Sequence, residues 1–428
     1  MPGYLRRLVD DELDVLLPDL PAIALDGPKG VGKTATASRR AATVHRLDDA
    51  AQLAVLAAEP GRLTTGAPPI LVDEWQRLPQ AWDVVRRAVD DGPADGPRGG
   101  RFLLTGSAAP LEQPTHSGAG RIVTLRMRPL TLAERGLVTP AVSLAELLGG
   151  RRPPVSGASP LGLADYAQEI VASGLPGLRG ASGRARRAQL DGYLDRIVER
   201  DFPEQDRPLR NPAGLRRWMT AYAAATATTA SFETIRDAAT GGDGQVPARS
   251  TVIPYRHVLE RLWILDPVPA WLPTRNHLAR LAAPPKHHLA DPALAARLLG
   301  ADVDALLQAD PLGPPVPRDG PLLGKLFESL VTLGVRVQAQ AAEATVRHLR
   351  TKGGEREIDL IVERADHRIV AVEVKLGATV DDADVRHLRW LAGVLGPDLL
   401  DAVVVTTGPE AYRRPDGVAV VPAALLGP

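Results

Sequence analysis

Two textures alternate along the first 140 positions of the chain. Short unbroken apolar runs, "PAIALDG" (21–27), "TVHRL" (43–47), "PPILVDE" (68–74), "RFLLTGS" (101–107) and "IVTLRM" (122–127), stand between stretches such as "KTATASRRAA" (33–42) and "WDVVRRAVDD" (82–91). Apolar runs without alternation suit strands covered on both faces, and the intervening stretches suit helices. This predicts a buried parallel sheet with helices packed on it. The Pro/Gly/Ser-rich "GGRRPPVSGASPLG" (149–162) then reads as a linker.

Beyond the linker the texture turns helical from 163 to 225. In "YLDRIVERDF" (193–202), Tyr193, Leu194, Ile197 and Val198 fall on one helical face. A helix, a loop, a helix and a short strand pair follow in "ASFETIRDAAT", "GGDGQVPAR", "STVIPYRHVLERLW" and "ILDPVPAW" (230–271). That order is compatible with a winged helix, its second helix starting at a Ser/Thr cap. After a second Pro-rich stretch (310–321) come a helix, "LLGKLFESLVTLGVRVQAQ" (322–340), and a hairpin, "EIDLIVERADHRIVAVEVK" (357–375). The divisions implied are 1–148, 163–212, 213–280 and 286–428.

Composition narrows the classes. A chain of 428 residues is too long for one core. Acidic and basic residues balance at 51 each, so any nucleic-acid surface must be a local patch. Cysteine is absent, which excludes disulfides and thiolate chemistry. No apolar run approaches the roughly 18 residues of a membrane span, and "MPGYLRRLVDDELD" lacks the apolar core of a signal peptide. A soluble cytoplasmic protein without a membrane partner is expected. Lysine occurs at Lys29, Lys33, Lys286, Lys325, Lys352 and Lys375 alone, so each lysine is mildly informative in this arginine-rich chain.

Candidate chemistry starts at "GPKGVGKT" (27–34), which fits G-x-x-x-x-G-K-[ST] between a strand-like run and a helix-like run. Gly27, Gly30 and Gly32 let the backbone of Gly27, Pro28, Lys29, Gly30, Val31 and Gly32 turn its N–H groups inward around a phosphate. Lys33 suits the β/γ-phosphates of ATP and the Thr34 hydroxyl suits Mg²⁺. A second strand ends in Asp73, a candidate for the Mg²⁺ shell, and Glu74, a candidate to activate the attacking water. A third ends in Thr105 and Ser107, which could hold that water or the γ-phosphate.

The order "GPKGVGKT…ILVDEWQ…FLLTGS…" followed by Gly120-Arg121, Pro129-Leu130, Glu134 and "ERD" (Glu199, Arg200, Asp201) resembles AAA-type P-loop ATPases. The resemblance covers most of the chain and extends to the C-terminal domain of unknown function that usually accompanies them. It implies ATP and Mg²⁺ as ligands and Arg121 as a γ-phosphate sensor or finger, with a homo-oligomer supplying the arginine in trans.

In the hairpin, alternation groups Ile358, Leu360 and Val362 on one face and leaves Asp359, Glu373 and Lys375 on the other. With Glu363 opposite Ile369, Asp359 faces Glu373. Like charges so placed destabilise a sheet unless a cation lies between them. The D…E-x-K arrangement resembles the PD-(D/E)XK nuclease fold, and Glu328 on the preceding helix offers its further acid. The resemblance implies a metal site of Glu328, Asp359 and Glu373 with Lys375 as charge stabiliser. A hairpin with a solvated polar face is the plainer reading.

The expected fold is α/β and multidomain: a P-loop AAA-type ATPase with a parallel sheet, a helical and winged-helix middle, and a restriction-endonuclease-like α/β tail. The expected function is an ATPase acting on or regulated by nucleic acid, with a Mg²⁺-dependent nuclease tail. The alternative is an ATP-switched module that binds DNA or protein through an inactive tail. A signalling or defence-type ATPase with a protein partner is a third reading. Arg256, His257 and Arg261 are the candidates for a DNA backbone, though sparse and diluted by Glu260.

Overall fold

The computed structural model describes residues 3–92, 96–107, 118–205, 209, 211–241, 246–273, 283–308 and 316–428. Parts of three expected loops, at 92–100, 241–249 and 310–321, and the end of the proposed winged-helix segment fall outside the described residues. The five apolar runs of the N-terminal third are its five strands: β1 (Ala22–Asp26), β2 (Thr43–Arg46), β3 (Ile70–Asp73), β4 (Phe102–Gly106) and β5 (Val123–Arg126). They form one parallel sheet in the order β2-β3-β4-β1-β5. Alternate residues feed two cores. Ala22, Ala24, Ile70, Val72, Phe102 and Leu104 pack with Trp82 and Val85 of the helix Gln80–Asp91. Ile23, Leu25, Leu71, Leu103 and Leu125 pack with Val9 and Leu13 of the helix Leu8–Leu16. Cover on both faces is why the central strands β1, β3 and β4 carry no polar alternation, whereas the edge strands β2 and β5 are partly exposed and mix polar with apolar residues.

Short strand β6 (Val142–Ser143) leads on to the linker, which is not a free spacer. Val155 is buried, and Gly157–Ala158 forms β7. The middle of the chain packs the helices Leu163–Ala172, Gly183–Arg196, Pro212–Ala224, Phe232–Ala238 and Arg249–Arg261 around Trp218, Tyr222 and Tyr255. The last of these helices begins after Ala248 with no side-chain cap, so Ser250 and Thr251 lie inside its first turn rather than capping it. The segment "ILDPVPAW" is not a strand pair. Pro267 and Pro269 lack the N–H groups that a self-paired hairpin needs. The segment instead makes antiparallel bridges, Leu265 to Leu289 and Val268 to Lys286. Its end, β8 (Ala270–Trp271), runs parallel beside a strand of the tail.

A small pair, β9 (Leu307–Gln308) and β10 (Val316–Pro317), precedes the tail. There β11 (Thr345–Arg350), β12 (Glu357–Glu363), β13 (Ile369–Val374), β14 (Leu399–Thr406), β15 (Glu410–Arg413) and β16 (Ala419–Pro422) join β7 and β8 in a mixed eight-stranded sheet. The last strand, β17 (Leu426–Gly427), returns to pair with β6. The hairpin β12–β13 has the expected register, with Glu363 opposite Ile369 and Leu360 opposite Val372. The expected grouping of faces needs correction. Leu360 and Val362 pack toward the helix Gly320–Ala341, whereas Ile358 joins Ile361 and the helix Arg386–Leu395 on the opposite side. The cause is a β-bulge: Arg347 pairs with Ile361 but Leu349 with Ile358, so the two-residue alternation slips at Asp359 and Leu360.

One buried ion cluster joins the three parts. Asp266, in the middle segment, accepts from Arg128 Nε at 2.8 Å, pairs with Arg336 of the helix Gly320–Ala341 at 3.0 Å, and lies 3.5 Å from Arg126 at the end of β5. Burial alone would raise the Asp266 pKa, but Arg128, Arg336 and Arg126 hold it well below the usual carboxylate range. Removing the charge leaves buried arginines without their partner, so Asp266→Asn is expected to cost about 3–5 kcal/mol near neutral pH. Because the folded-state pKa is depressed, this stabilisation is present above a pH of about 4 and is lost as pH falls below it. Thermal melts of wild type and variant should therefore converge in acid; a gap independent of pH would mean that the charge of Asp266 contributes nothing.

Candidate active site

The loop after β1 is shaped by a close approach. A Cβ on Gly27 would stand 2.1 Å from the Met127 carbonyl oxygen, so only glycine lets β1 pass under the segment after β5. Gly32 takes a φ of 105°, in the left-handed region, and starts the helix Lys33–Ser38. Lys33 is buried and donates to the carbonyls of Gly27 at 2.7 Å and Pro28 at 2.9 Å. Burial pulls its pKa down to about 8, against the opposing pull of Glu74, Asp26 and Asp73. Burial also pushes the Asp26 carboxyl up to about 6, while Lys33 and Arg126 counter it.

The neighbouring strand ends converge on this loop. Asp73, buried at the end of β3, accepts from Thr34 Oγ1 at 2.8 Å and from Thr105 Oγ1 at the end of β4. The next residue, Glu74, has a φ of 54°, a backbone conformation that non-glycine residues rarely adopt and that recurs at functional sites. Its carboxylate accepts from Gln76 Nε2 and, at 3.1 Å, from Ser107 Oγ. Thr34, Asp73 and Thr105 form a set of hard oxygens suited to Mg²⁺.

Family models match three parts of the chain. Residues 19–135 match the family described as "AAA domain". The N-terminal domain is an ATP-binding P-loop ATPase domain of the AAA class. Residues 163–305 match a "Domain of unknown function (DUF8612)" and residues 323–426 a "Domain of unknown function (DUF4143)". A solved structure, the Walker-type ATPase PABY2304 of Pyrococcus abyssi, is similar at 16% identity and a TM-score of 0.39, over 69% of this chain and 96% of that one. None of the curated proteins matches.

Several supports of the P-loop domain were invisible to the motif. Arg7, buried, donates to the Val31 carbonyl at 2.9 Å and pairs with Glu134, which also accepts from the Leu8 amide. Glu134 thus fixes the arginine that braces the phosphate loop. Within "ERD", Asp201 is buried and contacts Lys29 Nζ at 2.5 Å, while Glu199 and Arg200 are exposed. A π turn, Ile197–Asp201, carries Asp201, and Tyr193 in the preceding helix donates to the Lys29 carbonyl at 3.1 Å. Such turns are rare and cluster at functional positions. Arg126 lies at the C-terminal end of β5 opposite Asp26, with its guanidinium 3.8 Å from the centre of the Trp263 ring.

Arg121 lies elsewhere. It precedes β5, which runs parallel to β1, so it sits at the strand-start edge while the phosphate loop leaves the strand-end edge. There it is half exposed and pairs with Asp90 at 2.8 Å. The expectation of a sensor for its own chain's γ-phosphate is corrected on that ground; a finger reaching a second copy remains a proposal.

In the tail, Glu328 and Asp359 share one partner, Lys286, for which no role was expected, and Glu373 pairs with Lys375. Lys286 Nζ lies 2.7 Å from Glu328 Oε1, 2.9 Å from Asp359 Oδ1 and 3.7 Å from Glu357 Oε1. The other Asp359 oxygen accepts from the Val374 amide at 2.9 Å. Lys375 Nζ contacts Glu373 Oε1 at 2.9 Å, and Glu373 Oε2 is buried without a hydrogen-bond partner. Burial first, then the Asp359 charge, raises the pKa of both Glu328 and Glu373. Among the described residues, no group of three or more His, Asp or Glu side chains is arranged to hold a metal ion. The expected Mg²⁺ site of Glu328, Asp359 and Glu373 does not fit, because the Lys286 ammonium lies against two of its three acids. The scarcity of lysine was the one available signal for Lys286.

The proposed DNA-facing residues are engaged within the chain. Arg256 lies over the Phe232 ring and pairs with Glu260, and Arg261 donates to the Gln205 carbonyl. No helix among the described residues is long and apolar enough to cross a membrane. From its place on the sheet, Arg121→Ala is expected to leave ATP affinity within about twofold, as read by calorimetry. A much larger loss of affinity would put Arg121 at its own chain's phosphates.

Proposed function

We propose that the chain is an ATP-hydrolysing switch whose middle and tail transmit or receive the nucleotide state. The observation that carries it is the convergence of Lys33 and Thr34, at the start of the helix after β1, with Asp73 and Glu74, at and just after the end of β3. A cavity of about 570 Å³ beside the phosphate loop supports ATP as the ligand. Its walls include Tyr4, Leu5, Val31, Met127, Leu130 and Pro176, an apolar lining suited to a nucleobase. Loop amides and Lys33 would bind the phosphates, and Thr34 and Asp73 would hold Mg²⁺. When bound, the metal would offset phosphate charge. Glu74, held by Gln76 and Ser107, would take the proton of the attacking water.

Two contact sets could pass this state onward. Lys29 is paired with Asp201 and would exchange that partner for phosphate. Arg126 and Arg128, on and just after the strand beside β1, meet Asp266 and Arg336. In this reading the restriction-endonuclease-like tail binds a DNA or protein partner without cutting it.

Lys33→Ala is expected to abolish calorimetric ATP binding. Glu74→Gln should bind ATP with little change while phosphate release slows on the order of 10²-fold or more. Wild-type protein that binds no ATP at millimolar nucleotide with Mg²⁺ would end this reading.

A further inference from the structure

Three tail acids, Glu328, Asp359 and Glu373, are largely withdrawn from water, their side chains 14%, 13% and 10% exposed. Buried carboxylates of this kind need a cation or a proton. A nuclease would meet the need with a divalent metal. This chain meets it with a side chain from another segment. Lys286 is fully enclosed, and its Nζ touches Glu328 and Asp359 from between them. Its backbone is fixed too: the Lys286 amide donates to the Val268 carbonyl at 2.9 Å, and the Val268 amide donates to the Lys286 carbonyl at 2.8 Å. A lysine held at both ends is a permanent occupant rather than a visitor from solvent.

We propose that Lys286 is the resident cation of the tail, standing where a divalent metal would bridge Glu328 and Asp359, so that the tail binds no metal there. Mg²⁺ takes oxygen ligands at about 2.1 Å in near-octahedral order. With an ammonium 2.9 Å from one Asp359 oxygen and the Val374 amide on the other, both Asp359 oxygens already have a protein donor. A dication beside that ammonium would also be repelled in a site shielded from water. On the other side of the cluster Glu373 has its own ammonium, that of Lys375.

The same residue acts as a fastening. Lys286 begins a short segment whose members each grip a different part. The His287 ring contacts the Tyr222 hydroxyl at 3.3 Å, and the His288 ring contacts Ser329 Oγ at 3.2 Å. Asp291 accepts from Ser173 Oγ at 2.6 Å and the Gly174 amide at 2.8 Å. The Gly174 carbonyl in turn accepts from the Leu130 amide beside the nucleotide-side cavity. The lysine that excludes the metal thereby ties the tail hairpin to the segment that reaches the P-loop domain. The inference uses the nuclease-like reading of the tail only to say what Lys286 replaces; it is independent of ATP hydrolysis.

The test uses nucleotide-free full-length protein, so that it stands apart from the ATPase reading. Mn²⁺ binding is followed by electron paramagnetic resonance in wild type and Asp359→Asn, and both are melted in EDTA. Equal Mn²⁺ binding and a lower melting temperature for Asp359→Asn are expected, because the substitution strips Lys286 of a partner. A metal site repelling its own acids predicts the opposite sign. One more Mn²⁺ bound by wild type than by Asp359→Asn, or a variant at least as stable in EDTA, would overturn the proposal. Lys286→Met is expected to melt below wild type in EDTA and to recover part of the loss on addition of Mn²⁺. A Lys286→Met protein as stable as wild type in EDTA would likewise overturn it.

Discussion

Asp266 is the point on which the architecture turns. One carboxylate, buried between the P-loop domain, the middle helices and the tail helix, faces Arg126, Arg128 and Arg336. Three buried guanidinium groups without an anion would be untenable, and one anion without them would be equally so. The cluster therefore forms only when all three parts are assembled. Arg336 adds two bonds to the carbonyls of Asp266 and Pro267, which fix the segment as well as its charge. The strand carrying Arg126 lies directly beside β1, so the phosphate loop and the junction share one sheet edge.

A second charge system closes the nucleotide side. Arg7 holds the outer face of the phosphate loop through Val31, and Glu134 holds Arg7. Asp201 reaches Lys29 from the opposite direction, carried by a π turn. The loop is thus clasped by basic and acidic residues from the N-terminal segment, the end of the domain and the helical middle.

The tail presents the same physics with a different outcome. Converging buried acids stay charged only where a cation stands among them. Here Lys286 does, and Lys375 attends Glu373. Whether a carboxylate cluster is a metal site depends less on how many acids converge than on which cation the fold has already placed there.

The sequence by itself determined the local parts. Eight consecutive residues make the phosphate loop, and neighbouring residues at single strand ends make Asp73–Glu74 and Thr105–Ser107, so spacing alone was enough to find them. Apolar runs disclosed the strands of the parallel sheet, most plainly the central β1, β3 and β4, because burial on both faces leaves no other composition. The hairpin register was legible for the same local reason. Tertiary structure decided the rest. Asp201 meets Lys29 across 172 positions, and Lys286 meets Glu328 across 42 and Asp359 across 73. Nothing in a hydrophobic pattern records which distant cation will fill which acidic pocket. A single bulge moved Ile358 to the face opposite Leu360, and the parallel direction of β5 took Arg121 away from its own phosphate loop. Pattern encodes what a segment buries; only the packed chain settles which charges are buried together.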